Sequence, residues 1–208
     1  MPDKILEIEN ISIAYDNKVV MQNFSLQLSK GEHIAVVGAS GCGKSSMLRA
    51  ILGFIPLTQG KILYKGTEIG NTNIYNIRNS IAYLPQDITF PCEWVREIVD
   101  IIFRIKANNS TYSKEKLYNY FKELGLEEDI FDKRISEISG GQRQRVMLAI
   151  VALTAKELIL LDEPTSALDK ESAQLTLNFL KTLKNRPAII SVTHDCNFAQ
   201  CCDNIISL

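Results

Sequence analysis

The stretch G-A-S-G-C-G-K-S at residues 38–45 decides the fold of this chain. It follows a continuous apolar run, I-A-V-V at residues 34–37, and it precedes residues 45–52, which we expect to be helical. Apolar runs of this kind are typical of strands that are buried on both faces of a parallel sheet. Strand, loop and helix in this order give the G-x-x-x-x-G-K-[ST] pattern of a phosphate-binding loop its usual context. The stretch therefore predicts an α/β protein with a phosphate site at the start of a helix.

The residue types in this loop suit a bound polyphosphate. Glycines let backbone N–H groups converge on phosphate oxygens without side-chain clashes. The helix that follows points its positive end at the same anion. We expect Lys44 to reach the β- and γ-phosphates and the hydroxyl of Ser45 to bind Mg²⁺. The predicted phosphate-binding residues are Gly38, Ser40, Gly41, Cys42, Gly43, Lys44, Ser45 and Ser46.

Two carboxylates follow another apolar run, at residues 158–161. In α/β proteins, ligands bind outside the carboxyl ends of the strands. Asp162 is therefore predicted to hold Mg²⁺, directly or through water, and Glu163 to orient or deprotonate an attacking water. The alternative interpretation is a pair of solvated carboxylates at a strand end.

The sequence S-G-G-Q at residues 139–142 begins an apolar helical segment. It fits the S-x-x-Q capping box, so it could be simply a well-capped helix start. Two glycines nevertheless weaken a helix, and they make better sense where backbone approaches another group closely. A helix N-terminus with a serine hydroxyl suits a second phosphate-binding surface, which we expect to serve the nucleotide of another subunit.

Composition limits the classes of function. The chain has 208 residues, which suits one domain, and its 23 basic and 24 acidic side chains give a formal net charge of −1. A nucleic-acid binder normally has a basic excess, so no nucleic-acid partner is expected. The longest uncharged apolar stretch, residues 146–155, is shorter than the roughly 20 residues that span a bilayer, and no signal peptide is indicated. Five cysteines match no common zinc pattern, so we expect reduced thiols rather than a zinc site.

The remaining pattern predicts a parallel α/β core interrupted by helices. Strands are expected at residues 5–15, 18–28, 60–64, 80–84, 188–192 and 204–208, and helices at residues 93–104 and 113–124. We therefore predict one domain over residues 1–208. Its core comprises residues 1–86 and 155–208, and residues 87–154 form a helical lobe.

With these motifs in this order, nearly the whole chain resembles the ATP-binding subunits of ABC transporters. The resemblance implies a P-loop NTPase core of mostly parallel sheet with flanking helices, an N-terminal antiparallel β subdomain and an inserted helical lobe that carries the signature motif. It assigns further roles by position: Tyr15 would stack on adenine, Gln86 would sense Mg²⁺ and the γ-phosphate, and His194 would contact the γ-phosphate. Ser139, Gly140, Gly141 and Gln142 match the signature motif, with Ile138 in place of the usual leucine. Residues 166–169, which end at Asp169, match the loop that communicates between the two sites.

The resemblance also implies partners and a mechanism. Two cassettes would bind two ATP molecules head to tail, as a homodimer or with a second cassette, and hydrolysis would drive integral membrane permease subunits from the cytoplasmic face. Residues 88–97, including Trp94, would form the docking surface for those subunits, although Trp94 could equally belong to the core. Many relatives continue beyond the strand at residues 204–208, so the chain is either a minimal cassette or a shortened one.

Two other functions compete with the transporter interpretation. A soluble ABC ATPase that acts on ribosomes or DNA would normally have two cassettes or a long coiled coil, and this sequence has neither. A P-loop kinase would leave the S-G-G-Q motif and His194 without a role. The cargo and the direction of transport are not determined by the sequence.

Overall fold

The computed structural model of the chain describes residues 3–16, 18–87, 89 and 92–208. Within these ranges the strands form two sheets, one parallel and one antiparallel. The strands are β1 (Lys4–Tyr15), β2 (Lys18–Ser29), β3 (His33–Val37), β4 (Gln59–Tyr64), β5 (Thr67–Glu68), β6 (Ile81–Leu84), β7 (Leu158–Asp162), β8 (Ala188–Thr193) and β9 (Asn204–Ser207).

Helices connect many of these strands, and several begin at the polar residues that favour helix starts. Ser113, Ser139 and Asp169 each accept a backbone N–H of the following turn through a side-chain oxygen. Within the described residues, no helix is both long enough and apolar enough to cross a bilayer. The α-helices are α1 (Lys44–Ile51), α2 (Ile74–Arg78), α3 (Val95–Arg104), α4 (Lys114–Glu123), α5 (Gly140–Leu153), α6 (Lys170–Thr182) and α7 (Cys196–Gln200).

The parallel sheet has the strand order β6-β7-β8-β3-β9, and every neighbouring pair in it is parallel. Strands β7 and β8 are buried along their whole length, which explains why their sequences, L-I-L-L-D and A-I-I-S-V-T, are mostly apolar. The carboxyl ends of parallel strands meet at one edge of the sheet. The phosphate-binding loop, Gln86, Asp162 and His194 follow or end four of these strands, so the topology brings them to that edge.

The antiparallel sheet has the order β2-β1-β4-β5, with β1 paired to both β2 and β4. Leu6, Ile8, Ile11 and Ile13 are all buried, although the odd spacing between Ile8 and Ile11 would normally put them on opposite faces. A register shift lies between these two residues, where Asn10 has a φ of 48°. This bulge returns the second half of the strand to the same face.

The core has two parts, one on each face of the parallel sheet. Leu158 and Leu160 belong to the part that includes α1 and the antiparallel sheet. Ile159 and Leu161 belong to the part that includes α3, α4, α5 and α6. Alternate residues of β7 therefore pack into different parts of the core, and helices α3, α4, α5 and α6 pack in the same part as one face of the parallel sheet. The division at residues 86/87 and 154/155 into a core and a helical lobe stays a prediction.

The predicted strands and helices are present with small shifts at their ends. Helices α6 and α7 were expected after residue 158 only in general terms, without bounds, and β5 and α2 were not predicted. Strand β5 has 2 residues and helix α2 has 5. Neither is long enough to repeat an apolar pattern, so periodicity carries no signal for them.

Candidate active site

The predicted phosphate-binding loop connects β3 to α1. Gly43 stands at the N-cap of α1 with a φ of 97°, a conformation that side chains disfavour. A Cβ atom there would lie 2.7 Å from the carbonyl oxygen of Val20. Both the backbone angle and the close approach of β2 therefore require glycine at this position.

A cavity of about 420 Å³ opens beside this loop. It contains the start of α1 together with three side chains from separate strand ends: Gln86, Glu163 and His194. The resemblance implied that Gln86 and His194 lie near the phosphate site, and the structure brings both side chains together with Glu163. The residues that line it are Val20, Ser40, Gly41, Gly43, Lys44, Ser45, Ser46, Gln86, Glu163 and His194.

The Lys44 side chain is buried against the loop. Its Nζ donates to the carbonyl oxygens of Gly38 at 2.8 Å and Ala39 at 3.0 Å, and it lies 3.9 Å from the Sγ of Cys42. An ammonium group held this way places a positive charge at the cavity wall, where it can meet a phosphate oxygen.

Ser45 lies at the start of α1 and Asp162 at the end of β7, and their side chains are in contact. Ser45 Oγ donates to Asp162 Oδ1 at 2.9 Å, and the Tyr83 hydroxyl donates to Oδ2 at 3.4 Å. Burial raises the pKa of Asp162, and the charge of Glu163 raises it further, while the bond from Ser45 opposes the shift. A hydroxyl and a carboxylate oxygen this close form a hard oxygen pair of the kind that Mg²⁺ uses beside phosphates.

Glu163 has an unusual backbone and a sheltered carboxylate. Its φ is 52°, in the left-handed region, although it is not glycine. Its Oε2 lies 2.9 Å from His194 Nδ1 and accepts the backbone N–H of His194 at 3.3 Å. The Glu163 side chain is 10% exposed whereas that of His194 is 70% exposed. The carboxylate is thus oriented by a histidine that itself faces the solvent.

The S-G-G-Q segment forms the capping box that the sequence predicted as one alternative. Ser139 Oγ accepts the N–H of Gln142 at 3.1 Å, and Gln142 Oε1 accepts the N–H of Ser139 at 2.9 Å. A Cβ atom on Gly141 would lie 2.9 Å from the carbonyl oxygen of Ala167, so this glycine has a packing reason inside the chain. The close backbone approach expected of these glycines is therefore found at Gly141 within the chain itself. A Cβ atom on Gly140 would have its nearest neighbour 3.9 Å away, and this position is exposed.

Two comparisons of the sequence bear on this arrangement. The profile of the ABC transporter family matches residues 21–166, which span the phosphate loop, the S-G-G-Q segment and Glu163. The chain belongs to the ABC transporter family. PotA, the spermidine/putrescine import ATP-binding protein of Acetivibrio thermocellus, is 36% identical over 193 residues, 92% of this chain and 54% of PotA. The chain thus spans about half the length of that relative.

A second relative and a solved structure match most of their own length. EcfA, the energy-coupling factor transporter ATP-binding protein of Onion yellows phytoplasma, is 30% identical over 208 residues, 98% of this chain and 75% of EcfA. The ATP-binding cassette MJ0796, in a dimeric post-hydrolysis state bound to ADP and Pi, superposes with a TM-score of 0.83 at 26% identity, covering 98% of this chain and 94% of MJ0796. These matches confirm the predicted ABC ATPase fold.

Several predicted site residues of this ABC cassette lie outside the cavity lining. Tyr15 ends β1, is 41% exposed, and donates its hydroxyl to Ser46 Oγ at 3.2 Å. Asp169 caps α6 by accepting the N–H of Ser172 at 2.8 Å, and such bonds from Ser172 lower the pKa of Asp169. No residue of the S-G-G-Q segment is among the described residues that line the cavity. Their roles toward a nucleotide stay predictions.

The predicted docking surface is only partly described. Ile88, Phe90 and Pro91 lie outside the described residues. Trp94 is half-buried, and its ring is covered by two guanidinium groups, with centroid distances of 4.4 Å to Arg96 and 5.0 Å to Arg134. Neither the docking role nor the core alternative for Trp94 is tested by these contacts.

Sequence reasoning missed Tyr83 and Gln144. Gln144 is 4% exposed, and its amide contacts both the loop after β7 and Glu163. A signal existed for Gln144, because it stands four residues before buried Leu148 on the same face of α5. A polar residue on a buried face needs a hydrogen-bond partner.

The cysteines carry no metal site in the described part of the chain. All five are free thiols, and no group of three or more His, Cys, Asp or Glu side chains is placed there to hold a metal ion.

Proposed function

We propose that the chain binds ATP and hydrolyses it to ADP and phosphate, and that hydrolysis powers an ABC membrane transporter. The observation that carries this proposal is the cavity that joins Lys44 and Ser45 of the phosphate-binding loop to the sheltered carboxylate of Glu163. A phosphate-binding loop alone would suit many nucleotide-binding proteins. A carboxylate in the same cavity adds the group that can activate water.

Residues in the cavity and beside it have distinct roles in this proposal. Lys44 and the loop N–H groups bind the β- and γ-phosphates, and Tyr15 stacks on the adenine. Ser45 and Asp162, with Gln86, would hold Mg²⁺, which neutralises phosphate charge when bound.

Hydrolysis requires one proton to leave the attacking water. Glu163 accepts or orients that proton, the water oxygen bonds to the γ-phosphorus, and the bond from that phosphorus to the bridging oxygen breaks. ADP keeps the bridging oxygen, and phosphate leaves. His194 fixes the carboxylate through Nδ1 and faces outward, where it can contact the γ-phosphate.

The S-G-G-Q segment supports a dimer. Gly140 is exposed, and a Cβ atom there would have its nearest neighbour in the chain 3.9 Å away, which leaves the N-terminus of α5 open to a ligand. We infer that Ser139–Gln142 bind the γ-phosphate of an ATP held by a second copy or a partner cassette, with Asp169 on the loop between the sites. The dimeric state of MJ0796 with ADP and Pi supports this arrangement.

The membrane partner is also a proposal. PotA is named for spermidine and putrescine import and EcfA for an energy-coupling factor transporter, so both relatives are ATP-binding proteins of transporters. We infer that the cassette lies on the cytoplasmic face and docks on integral membrane permease subunits through residues 88–97. A soluble role on ribosomes or DNA has less support, because the net charge of −1 offers no basic excess for phosphate backbones.

Substitution of Glu163 tests the enzyme activity. Glu163→Gln removes the base and keeps the shape, so we expect ATP hydrolysis to fall about a hundredfold or more while ATP binding is retained and an ATP-bound dimer accumulates. Glu115→Gln, at an exposed position on α4, is the matched control and should hydrolyse ATP like the wild type. Wild-type turnover in Glu163→Gln would remove Glu163 from the proposed role.

A pull-down tests the transporter coupling. Tagged Glu163→Gln, with ATP present, is used to capture partners from detergent-solubilised native membranes. We expect a polytopic membrane protein to co-purify. Recovery of ribosomal or nucleoid material instead would favour the soluble class and would contradict the docking role of residues 88–97.

A further inference from the structure

Gln144 connects the helix of the S-G-G-Q segment to the loop that carries Glu163. Its Nε2 donates to the carbonyl oxygen of Glu163 at 2.7 Å, and its Oε1 accepts the N–H of Ala167 at 3.2 Å. The carbonyl can only accept and the N–H can only donate, so the two partners fix the orientation of the amide. A primary amide with one donor and one acceptor is therefore what this position requires.

The backbone that Gln144 contacts is strained. Glu163 has a φ of 52°, and residues with side chains keep this conformation only where their surroundings enforce it. The N–H of Glu163 donates to Val192 on β8 at 2.9 Å. Its carbonyl also accepts from Ser166, which belongs to the same loop. Gln144 adds a constraint on that carbonyl from a different element, α5.

The same helix contacts the loop at a second point. Gly141 lies three residues before Gln144, so both face the same side of α5. A Cβ atom at Gly141 would lie 2.9 Å from the carbonyl oxygen of Ala167, whose N–H is bound by Gln144. The N-terminal part of α5 thus binds the N–H of Ala167 through Gln144 and lies close to the carbonyl oxygen of Ala167 at Gly141. Any shift of this part of the helix must move the loop with it or break these contacts.

We propose that Gln144 is a positioning residue that sets the orientation of the Glu163 carboxylate according to the position of the N-terminus of α5. This inference rests on the proposed ATP hydrolysis and on Glu163 as its base. When a ligand engages Ser139–Gln142, the first turn of α5 is held in place, and Gln144 passes that constraint to the backbone of Glu163. The orientation of Glu163, the proposed base, would then depend on whether a ligand is bound at Ser139–Gln142 of the same chain.

Kinetics of Gln144→Met test this role. Methionine has a similar volume but provides neither hydrogen bond, so we expect kcat to fall about ten- to hundredfold with KM for ATP changed by less than about threefold. Rates are measured at protein concentrations where specific activity no longer rises, so that dimer formation does not limit them. Gln174→Met, on the exposed face of α6, is the matched control and should keep the wild-type kcat.

A double substitution separates positioning from a general loss of structure. If Gln144 acts through Glu163, Gln144→Met lowers the residual rate of Glu163→Gln by less than about twofold, because the group it positions is already absent. An equal loss in both backgrounds, an unchanged kcat, or an effect on KM alone would overturn the proposal. Should Gln144→Met not fold, Gln144→Glu is the second variant; it keeps the acceptor for Ala167 but loses the donor to Glu163, and the same non-additivity is expected.

The two proposals fail in different ways. An inactive wild type refutes the proposed function itself, and this inference with it. An active wild type that is slowed by Glu163→Gln but not by either Gln144 variant refutes the role of Gln144 alone.

Discussion

Acid should destabilise this protein through one buried histidine, His33. The imidazole lies at the start of β3, is 9% exposed, and its Nε2 lies 2.8 Å from Ser191 Oγ. Its ring packs edge-on against Phe198, with ring centroids 5.8 Å apart. Burial lowers the pKa of His33 from 6.5 to about 4, and the charge of Asp203 only partly opposes the shift.

The sign of the effect follows from the direction of this shift. Because the folded state binds the proton of His33 less readily than the unfolded chain, protons favour unfolding once the pH falls below about 6.5. Each pKa unit corresponds to about 1.4 kcal/mol, so the contribution lost is about 2 kcal/mol by pH 5 and about 3 kcal/mol near pH 4. Above about pH 7 the contribution is fully present.

Urea denaturation at several pH values measures this contribution. His33→Gln removes the titrating group, so we expect its free energy of unfolding to fall less than that of the wild type between pH 7 and pH 5, by about 2 kcal/mol. Gln174→Met, at an exposed position on α6 without a titrating group, is the control and should retain the wild-type pH dependence. Parallel pH profiles for the wild type and His33→Gln would refute the reasoning.

Three further predictions follow from individual side chains. Lys44→Ala should lower ATP affinity at least about tenfold, because a charged hydrogen-bond donor to phosphate is lost; unchanged binding by titration calorimetry would contradict the phosphate-site assignment. Ser139→Arg should leave ATP binding to the monomer intact and block hydrolysis by obstructing the dimer; persistent hydrolysis would contradict the shared site. Burial raises the pKa of Cys202 to about 12, so iodoacetamide near pH 8 should alkylate exposed Cys196 first, and mass spectrometry showing faster labelling of Cys202 would contradict its burial.

The sequence predicts the parallel core and the cavity well, because the governing signals are local. A strand, a glycine-rich loop and a helix follow one another at residues 34–52, and strand ends at Gln86 and Glu163 can meet only at one edge of a parallel sheet. Apolar runs mark the strands of that sheet directly. The capping box at Ser139 is likewise determined by residues three positions apart.

What the sequence does not predict depends on contacts between distant segments. The need for glycine at position 141 comes from the nearby carbonyl oxygen of Ala167. The buried amide of Gln144 has its partner in the carbonyl oxygen of Glu163, which lies 19 residues further along the chain. The left-handed backbone of Glu163 has no local marker, since glutamate rarely adopts it. The three-residue spacing between the apolar residues Ile8 and Ile11 can be read from the sequence. Only the pairing of β1 with β2 shows that a bulge at Asn10 causes it.

The sole tryptophan of the chain gives the predicted docking surface a built-in optical reporter. The indole of Trp94 is half-buried and stacked against the guanidinium groups of Arg96 and Arg134, which come from different segments. Its emission depends on polarity and on nearby charge, so separating either arginine from the ring would change the wavelength or the quantum yield. The tryptophan fluorescence of the unlabelled protein therefore reports on the surroundings of Trp94 alone. Changes at this position on addition of ATP or of a membrane partner can be followed in real time.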